Sequence, residues 1–67
     1  KENAFSINDL NISGNDIMMK LSLKEGPNIG VILNFLLQSV LDDPSLNKYD
    51  KLLEIASNFY KERLLKR

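Results

Sequence analysis

The part of this sequence best suited to binding a ligand is the segment 21–30, which joins two predicted helices. Gly26 and Gly30 have no side chain, so a phosphate or a ribose could approach the backbone closely there. The N-terminus of the second helix would carry about half an elementary positive charge, which makes it a favourable seat for a phosphate. Lys20 and Lys24 flank this seat, and Asn28 lies within it.

The same two glycines also have a purely structural interpretation. Gly26 could cap the first helix, because a residue after a helix often adopts a conformation that glycine favours. Gly30 could let two helices pack closely, because it has no side chain to hold them apart. The sequence leaves both interpretations open beside the phosphate seat.

A second concentration of charge ends the chain. Residues 61–67 hold four of the nine basic residues and one acid, whereas residues 1–60 carry five bases against eight acids. Basic groups in a last helical turn interact favourably with the helix dipole, and they could equally contact phosphates. We include Lys66 from this run among the candidate phosphate contacts.

The residue types that most often carry catalysis are missing. The absence of His and Cys excludes imidazole bases, thiolate nucleophiles and the two commonest zinc ligands. Asp42 and Asp43 are the one adjacent pair of carboxylates, and Pro44 follows them directly, which favours a polar helix end over metal or proton chemistry. No histidine can activate the serines, and no Gly-rich phosphate loop of the Walker type is present. We expect no catalytic residue, metal or cofactor in this chain.

Length and charge favour one small module that depends on a partner surface. A chain of about 60 residues buries only about 60% of the surface that its unfolded form exposes, so marginal stability is expected. With no Cys and no His, the usual supplement would be a protein surface, a second copy of the chain included. Nine acids balance nine bases, so any attraction to nucleic acid or lipid must come from local clusters.

No membrane segment or signal peptide is expected. The longest apolar run, residues 31–41, is interrupted by Asn34, Gln38 and Ser39, and a span needs about 20 apolar residues. Together with the absence of Cys, this favours a soluble cytoplasmic protein. The start at Lys1 rather than Met suits a single helical module, residues 1–67, taken from a larger protein.

Apolar residues that recur every three or four positions predict about three helices. The last helix would begin at Asn47 as N-cap, with Asp50 in a capping-box position and Pro44 as the preceding boundary. Its apolar face comprises Tyr49, Leu52, Leu53, Ala56, Phe59, Tyr60 and Leu64.

The middle helix would open at Gly26 and Pro27, because proline is well suited to a first helical turn. It should be the most buried, with an apolar stripe of Ile29, Leu33, Leu36, Leu37 and Val40, widened by Ile32, Phe35 and Leu41. A shorter first helix with Met18, Met19 and Leu21 would begin near Asn15 and Asp16, after a turn at Gly14. Ser6 would cap a single turn that ends at Leu10. The prediction is a small all-α bundle with short connecting turns.

Residues 12–55 contain an ordered series of motifs: I-S-G-N-D-I-M, then L-K-E-G-P-N-I-G, then I-L-N-F-L-L, then an Asn before the last helix. This series resembles the C-terminal RNA-binding region of tRNA nucleotidyltransferases, the CCA-adding enzymes of the bacterial poly(A) polymerase family. The positions that match are Gly14, Asp16, Ile17, Met18, Leu23, Lys24, Gly26, Pro27, Ile29, Gly30, Ile32, Leu33, Leu36, Leu37, Val40, Leu41, Pro44 and Asn47.

The resemblance implies that the chain grips the upper body of tRNA while a separate N-terminal head adds nucleotides. The parent enzyme would use ATP, CTP and magnesium, and the partners of this module would be tRNA and the other domains of the parent. The candidate RNA contacts are Lys20, Lys24, Gly26, Asn28, Gly30 and Lys66. Addition of CCA, of the terminal A alone, or of poly(A) all stay open.

Two positions depart from the family pattern. Ser22 stands where the family usually has a Gly, and Glu25 stands where Pro is common. The negative charge of Glu25 lowers the positive potential beside the phosphate seat.

Two other functions are compatible with the sequence. One is a structural unit that only braces the other helices of the parent, and the other is a membrane-surface helix at residues 48–67. The second conflicts with the mixture of Lys51, Glu54 and Glu62 on its polar face.

Overall fold

The computed structural model describes residues 6–65, which form three α-helices: α1 (Gly14–Leu21), α2 (Pro27–Asp42) and α3 (Tyr49–Phe59). Short 3₁₀ turns occupy Ile7–Asp9 and Pro44–Leu46, and a π-helical segment, Tyr60–Leu65, continues α3. No strand occurs in this part of the chain. The predicted all-α bundle is therefore confirmed.

Helix α1 begins one residue after its N-cap, Ser13. The Ser13 hydroxyl accepts a hydrogen bond from the Asp16 N–H at 3.2 Å, and the Asp16 carboxylate accepts one from the Ser13 N–H at 3.1 Å. This reciprocal capping box satisfies two backbone donors. Gly14 is consequently the first helical residue and not the turn that the sequence predicted before Asn15.

Helix α1 ends at Ser22, which adopts the left-handed conformation with φ 56° and ψ 43°. It is the one non-glycine residue with positive φ among residues 6–65. The N–H groups of Ser22 and Leu23 both donate to the Met18 carbonyl, the second at 2.9 Å. Left-handed residues of this kind commonly satisfy the last carbonyls of a helix, and glycine is the usual residue there.

Helix α2 opens as predicted, with Gly26 as N-cap and Pro27 in its first turn. It ends at Asp42, because the chain turns at Asp43 and Pro44 begins the next 3₁₀ turn. The Asp43 carboxylate accepts hydrogen bonds from the N–H and the hydroxyl of Ser45, at 3.2 and 2.7 Å. Asp43 thus caps a turn, in agreement with the interpretation of the acidic pair as a polar helix end.

Helix α3 begins at Tyr49 with Lys48 as N-cap, so the prediction of Asn47 as the cap was wrong. The side chain of Asn47 is used elsewhere, because it accepts a hydrogen bond from the Asn11 N–H and donates one to the Asp9 carbonyl. Local sequence predicted Asn47 as a cap because it does not show that Asn11, 36 positions away, competes for the same side chain.

The core lies where α1, α3 and the N-terminal segment pack against one side of α2. Its buried members are Leu10, Ile12, Ile17, Ile29, Ile32, Leu36, Val40, Leu52 and Ala56. Leu33 and Leu37, which were predicted for the centre of the stripe, are only half-buried, whereas Ile32 is fully buried. Leu41 remains 51% exposed because the other helices cover one side of α2 only, and Phe35, which contacts Phe59 of α3, remains 37% exposed.

Gly14 marks a close approach between α1 and α2. A Cβ atom at Gly14 would lie 3.3 Å from Ile29 Cγ2 and 3.6 Å from Leu33 Cδ1. The missing side chain therefore lets the first turn of α1 sit directly on α2. None of the helices within residues 6–65 is long and apolar enough to cross a bilayer.

Candidate nucleic-acid interface

The structure describes five of the six candidate contacts, and all five are exposed. Lys20 lies in the last turn of α1, and Lys24 lies in the connection to α2. Gly26, Asn28 and Gly30 follow at the N-terminal end of α2. The sixth candidate, Lys66, lies outside the described residues.

The first turn of α2 offers fewer free donors than a typical helix N-terminus. Pro27 has no N–H, and the Ile29 N–H donates to the Gly26 carbonyl at 3.1 Å. The Asn28 N–H has no hydrogen-bond partner among residues 6–65. A phosphate at this end of α2 would therefore be held by Asn28, by the helix dipole and by lysines.

Neither structural interpretation of the two glycines holds for the described residues. Gly26 does not cap α1, because Ser22 does, and its backbone is extended, with φ 169°. A Cβ atom at Gly30 would meet nothing within 4 Å, so this glycine does not serve close helix packing. The glycine that does serve packing is Gly14, which the sequence analysis treated as a turn residue.

The two positions that depart from the family pattern, Ser22 and Glu25, lie at the end of α1 and in the connection to α2. Ser22 adopts the left-handed conformation that a glycine would adopt more readily, and its N–H still donates to the Met18 carbonyl. Glu25 is exposed, so its carboxylate is not buried against the positive end of α2. The open surface at Gly30 and the exposed lysines are thus compatible with an anion.

The described part of the C-terminal basic run, residues 61–65, lies in the π-helical segment. Lys61, Glu62 and Arg63 are exposed there, and Leu64 is half-buried. The Arg63 guanidinium carbon is 5.9 Å from the centroid of the Phe59 ring, which is cation–π geometry. Arg63 therefore interacts with an aromatic side chain in addition to its place near a helix C-terminus.

Sequence reasoning missed an aromatic surface on the other side of α2. Phe35 was predicted to widen the buried stripe, yet its ring stacks on Phe59 with centroids 4.2 Å apart and stays partly exposed. A cavity of about 240 Å³ opens beside this pair, lined by Phe35, Ile55, Asn58, Phe59, Glu62 and Arg63. A phenylalanine in an apolar stripe gives no sequence signal that separates it from a core residue.

A larger depression of about 600 Å³ lies between the first 3₁₀ turn and α1. Its lining contains Asn8, Asn11 and Ser13, with Asp16 as its one charged residue. An acidic lining without lysine or arginine disfavours a phosphate group. The basic and aromatic features thus lie elsewhere on the molecule.

Residues 6–65 do not fit the metal site that nucleotide transfer implies. No group of three or more His, Cys, Asp or Glu side chains in this range could hold a metal ion. The acidic side chains are dispersed, and Asp16 and Asp43 are engaged in capping hydrogen bonds.

Together these features define a small helical module with an exposed, lysine-flanked helix N-terminus. A family model described as tRNA nucleotidyltransferase domain 2 matches residues 4–56. Because the match spans more than half of the chain, the chain belongs to this family of tRNA nucleotidyltransferase domains. The family resemblance drawn from the sequence motifs is thereby confirmed. No curated protein and no solved structure matches the chain.

Proposed function

We propose that this chain is the tRNA-binding module of a cytoplasmic CCA-adding tRNA nucleotidyltransferase. It holds the body of tRNA through contacts to the phosphate backbone and to the shape of the RNA, while a separate head adds nucleotides. The head would supply the magnesium, ATP and CTP chemistry. Membership of a tRNA nucleotidyltransferase domain family supports tRNA and the other domains as partners.

The observation that carries the proposal is the open surface at Gly30. Glycine in a helix interior costs about 0.5–1 kcal/mol relative to alanine, so a helical glycine without a packing role needs another explanation. A Cβ atom at Gly30 would contact nothing within the described residues. Close approach of an RNA backbone would explain the missing side chain, because no described residue of the chain occupies that space.

The exposed lysines give this surface its attraction for RNA. Lys20 and Lys24 lie on the two sides of Ser22, and the Asn28 N–H provides a backbone donor. Lysine acts on phosphate as a point charge, and each phosphate that it neutralises releases counterions. Lys66, in the C-terminal run, would add a contact of the same kind.

The experiment that tests this function is tRNA binding across a salt series, with the 67-residue chain and with the enzyme that contains it. If the chain contacts phosphates, the logarithm of the binding constant should fall linearly with the logarithm of the salt concentration. A control for the effect of net charge alone is Asp50→Asn. This variant removes an exposed negative charge from α3 and leaves residues 20–30 unchanged. Absence of salt-dependent binding in both proteins would contradict the proposal.

A second candidate function is a docking module without RNA contact. The exposed side of α2 carries Val31 and Leu41, which are 44% and 51% exposed, and its one charged residue is Asp42 at the end. A surface of this composition suits contact with another helix of the parent. The salt series separates the two functions, because a docking module would bind the other domains and no RNA.

A further inference from the structure

The aromatic pair formed by Phe35 on α2 and Phe59 on α3 is partly exposed to solvent. The rings of Phe35 and Phe59 lie 4.2 Å apart with an angle of 13° between their planes, and Phe35 is 37% exposed. Arg63 contacts the Phe59 ring from the following turn of the chain. A flat, partly exposed aromatic pair with an arginine beside it is a typical platform for stacking a planar group.

The cavity beside this pair combines apolar walls with polar edges. Its volume of about 240 Å³ corresponds to roughly eight liquid water molecules. Asn58 can donate and accept hydrogen bonds, Glu62 accepts them and Arg63 donates them. A purely apolar occupant would cover these groups without offering them partners, whereas the edge of a nucleobase offers both donors and acceptors.

The backbone changes geometry at this cavity. The π-helical segment begins at Tyr60, directly after Phe59, and it carries both Glu62 and Arg63. π-Helical turns are rare and occur frequently at functional sites. The wider turn determines where these two polar side chains stand relative to the aromatic pair.

We propose that the Phe35–Phe59 pair and its cavity bind one unpaired nucleobase of the bound RNA. The base stacks on the aromatic pair, its edge faces Asn58 and Glu62, and Arg63 faces the adjoining phosphate. The inference rests on the proposed RNA-binding function and adds a second contact to it. Gly30 and Phe35 are five residues apart on α2, which separates their directions by about 140°, so the base site is distinct from the turn.

The test uses two labelled RNA hairpins with the same stem, closed by a non-nucleotide linker, one blunt and one with an unpaired 3′ extension that holds the only unpaired bases. Fluorescence anisotropy of the 67-residue chain gives the affinity for each hairpin. The variants are Phe35→Leu, which removes the ring, and Phe35→Tyr, which keeps it. The matched control is Tyr49→Leu, because Tyr49 is 36% exposed and does not line the cavity.

We expect Phe35→Leu to weaken binding of the extended hairpin about fivefold or more, which is the lower range for loss of base stacking. The blunt hairpin, Phe35→Tyr and Tyr49→Leu should all give wild-type affinities. Asn58→Ala should also weaken binding of the extended hairpin alone, and this exposed position tests the site even if Phe35→Leu unfolds.

Each way of failing has its own result. If wild-type protein binds both hairpins and Phe35→Leu and Asn58→Ala bind the extended hairpin equally well, the base site is wrong and RNA binding stands. If the two variants weaken both hairpins alike, or if Tyr49→Leu does the same as Phe35→Leu, the loss is structural and the base site is again wrong. If wild-type protein binds neither hairpin, the base site is wrong, and the salt series with tRNA and the whole enzyme decides the proposed function separately.

Discussion

Asn11 and Asn47, 36 positions apart in sequence, hold each other through two hydrogen bonds. The Asn11 N–H donates to the Asn47 side-chain oxygen at 2.8 Å, and the Asn11 side chain donates to the Asn47 carbonyl at 2.6 Å. Asn47 also donates to the Asp9 carbonyl at 3.1 Å. These bonds join the N-terminal segment to the connection between α2 and α3, so they close the bundle at one end.

Replacement of Asn47 by alanine should lower the free energy of unfolding by about 1–3 kcal/mol, because two hydrogen bonds of its side chain are lost. Urea denaturation followed by circular dichroism measures this change. The matched control is Asn34→Ala, an exposed helical position where alanine should leave stability unchanged or slightly higher. Equal urea midpoints for the two variants would show that the side-chain hydrogen bonds of Asn47 contribute nothing to stability.

Replacement of Ser22 by glycine should stabilise the fold by about 1 kcal/mol. Ser22 adopts left-handed angles, which cost an L-residue about 1–2 kcal/mol, and glycine avoids that cost at some expense in chain entropy. Thermal unfolding monitored by circular dichroism should show a higher midpoint.

The control for this variant is Ser57→Gly, in the interior of α3, where glycine should destabilise by about 0.5–1 kcal/mol. If the thermal unfolding midpoint falls in Ser22→Gly as it does in Ser57→Gly, the left-handed conformation of Ser22 is contradicted.

Replacement of Leu36 by alanine should cost about 2–5 kcal/mol, because Leu36 is fully buried at the centre of the core. Leu41→Ala on the same helix is the control, since a side chain that is 51% exposed should cost about 0.5 kcal/mol or less. Thermal melts of the two variants measure the difference. Overlapping melts would mean that α2 does not bury the face assigned to it.

Much of the fold could be predicted because its determinants are local. The first turn of α2 follows from Gly26 and Pro27, and the break after α2 follows from Pro44. The period of the apolar residues gave the three helices and most of the core. The relative burial of Ile32 and Leu33 was predicted incorrectly. Which side chains of α2 are buried depends on the positions of α1 and α3, and the spacing of apolar residues does not determine those positions.

The remaining features depend on contacts between distant residues. Asn47 was predicted as a cap because local sequence cannot show that Asn11 competes for its side chain. Gly14 was predicted as a turn residue and Gly30 was left open between helix packing and a phosphate seat, since only the helix arrangement shows which glycine faces a neighbour. The Phe35–Phe59 pair could not be predicted, because two phenylalanines on separate helices meet only once both helices are placed.

The central claim is that RNA contacts the turn around Gly30, and tRNA binding by Gly30→Gln tests it most directly. Glutamine is a better helix former than glycine, and the described residues leave open space for its side chain, so this variant should be at least as stable as the wild type. Lys24→Ala and Lys66→Ala are compared with it across a salt series, and circular dichroism confirms that each variant is folded.

We expect Gly30→Gln to bind tRNA more weakly than the wild type, while its unfolding midpoint stays the same or rises. Lys24→Ala should reduce the slope of log affinity against log salt by about one unit, because one phosphate contact is lost. If Gly30→Gln and Lys24→Ala bind tRNA like the wild type and only Lys66→Ala weakens binding, RNA contacts the C-terminal basic run, and the claim for the turn is contradicted.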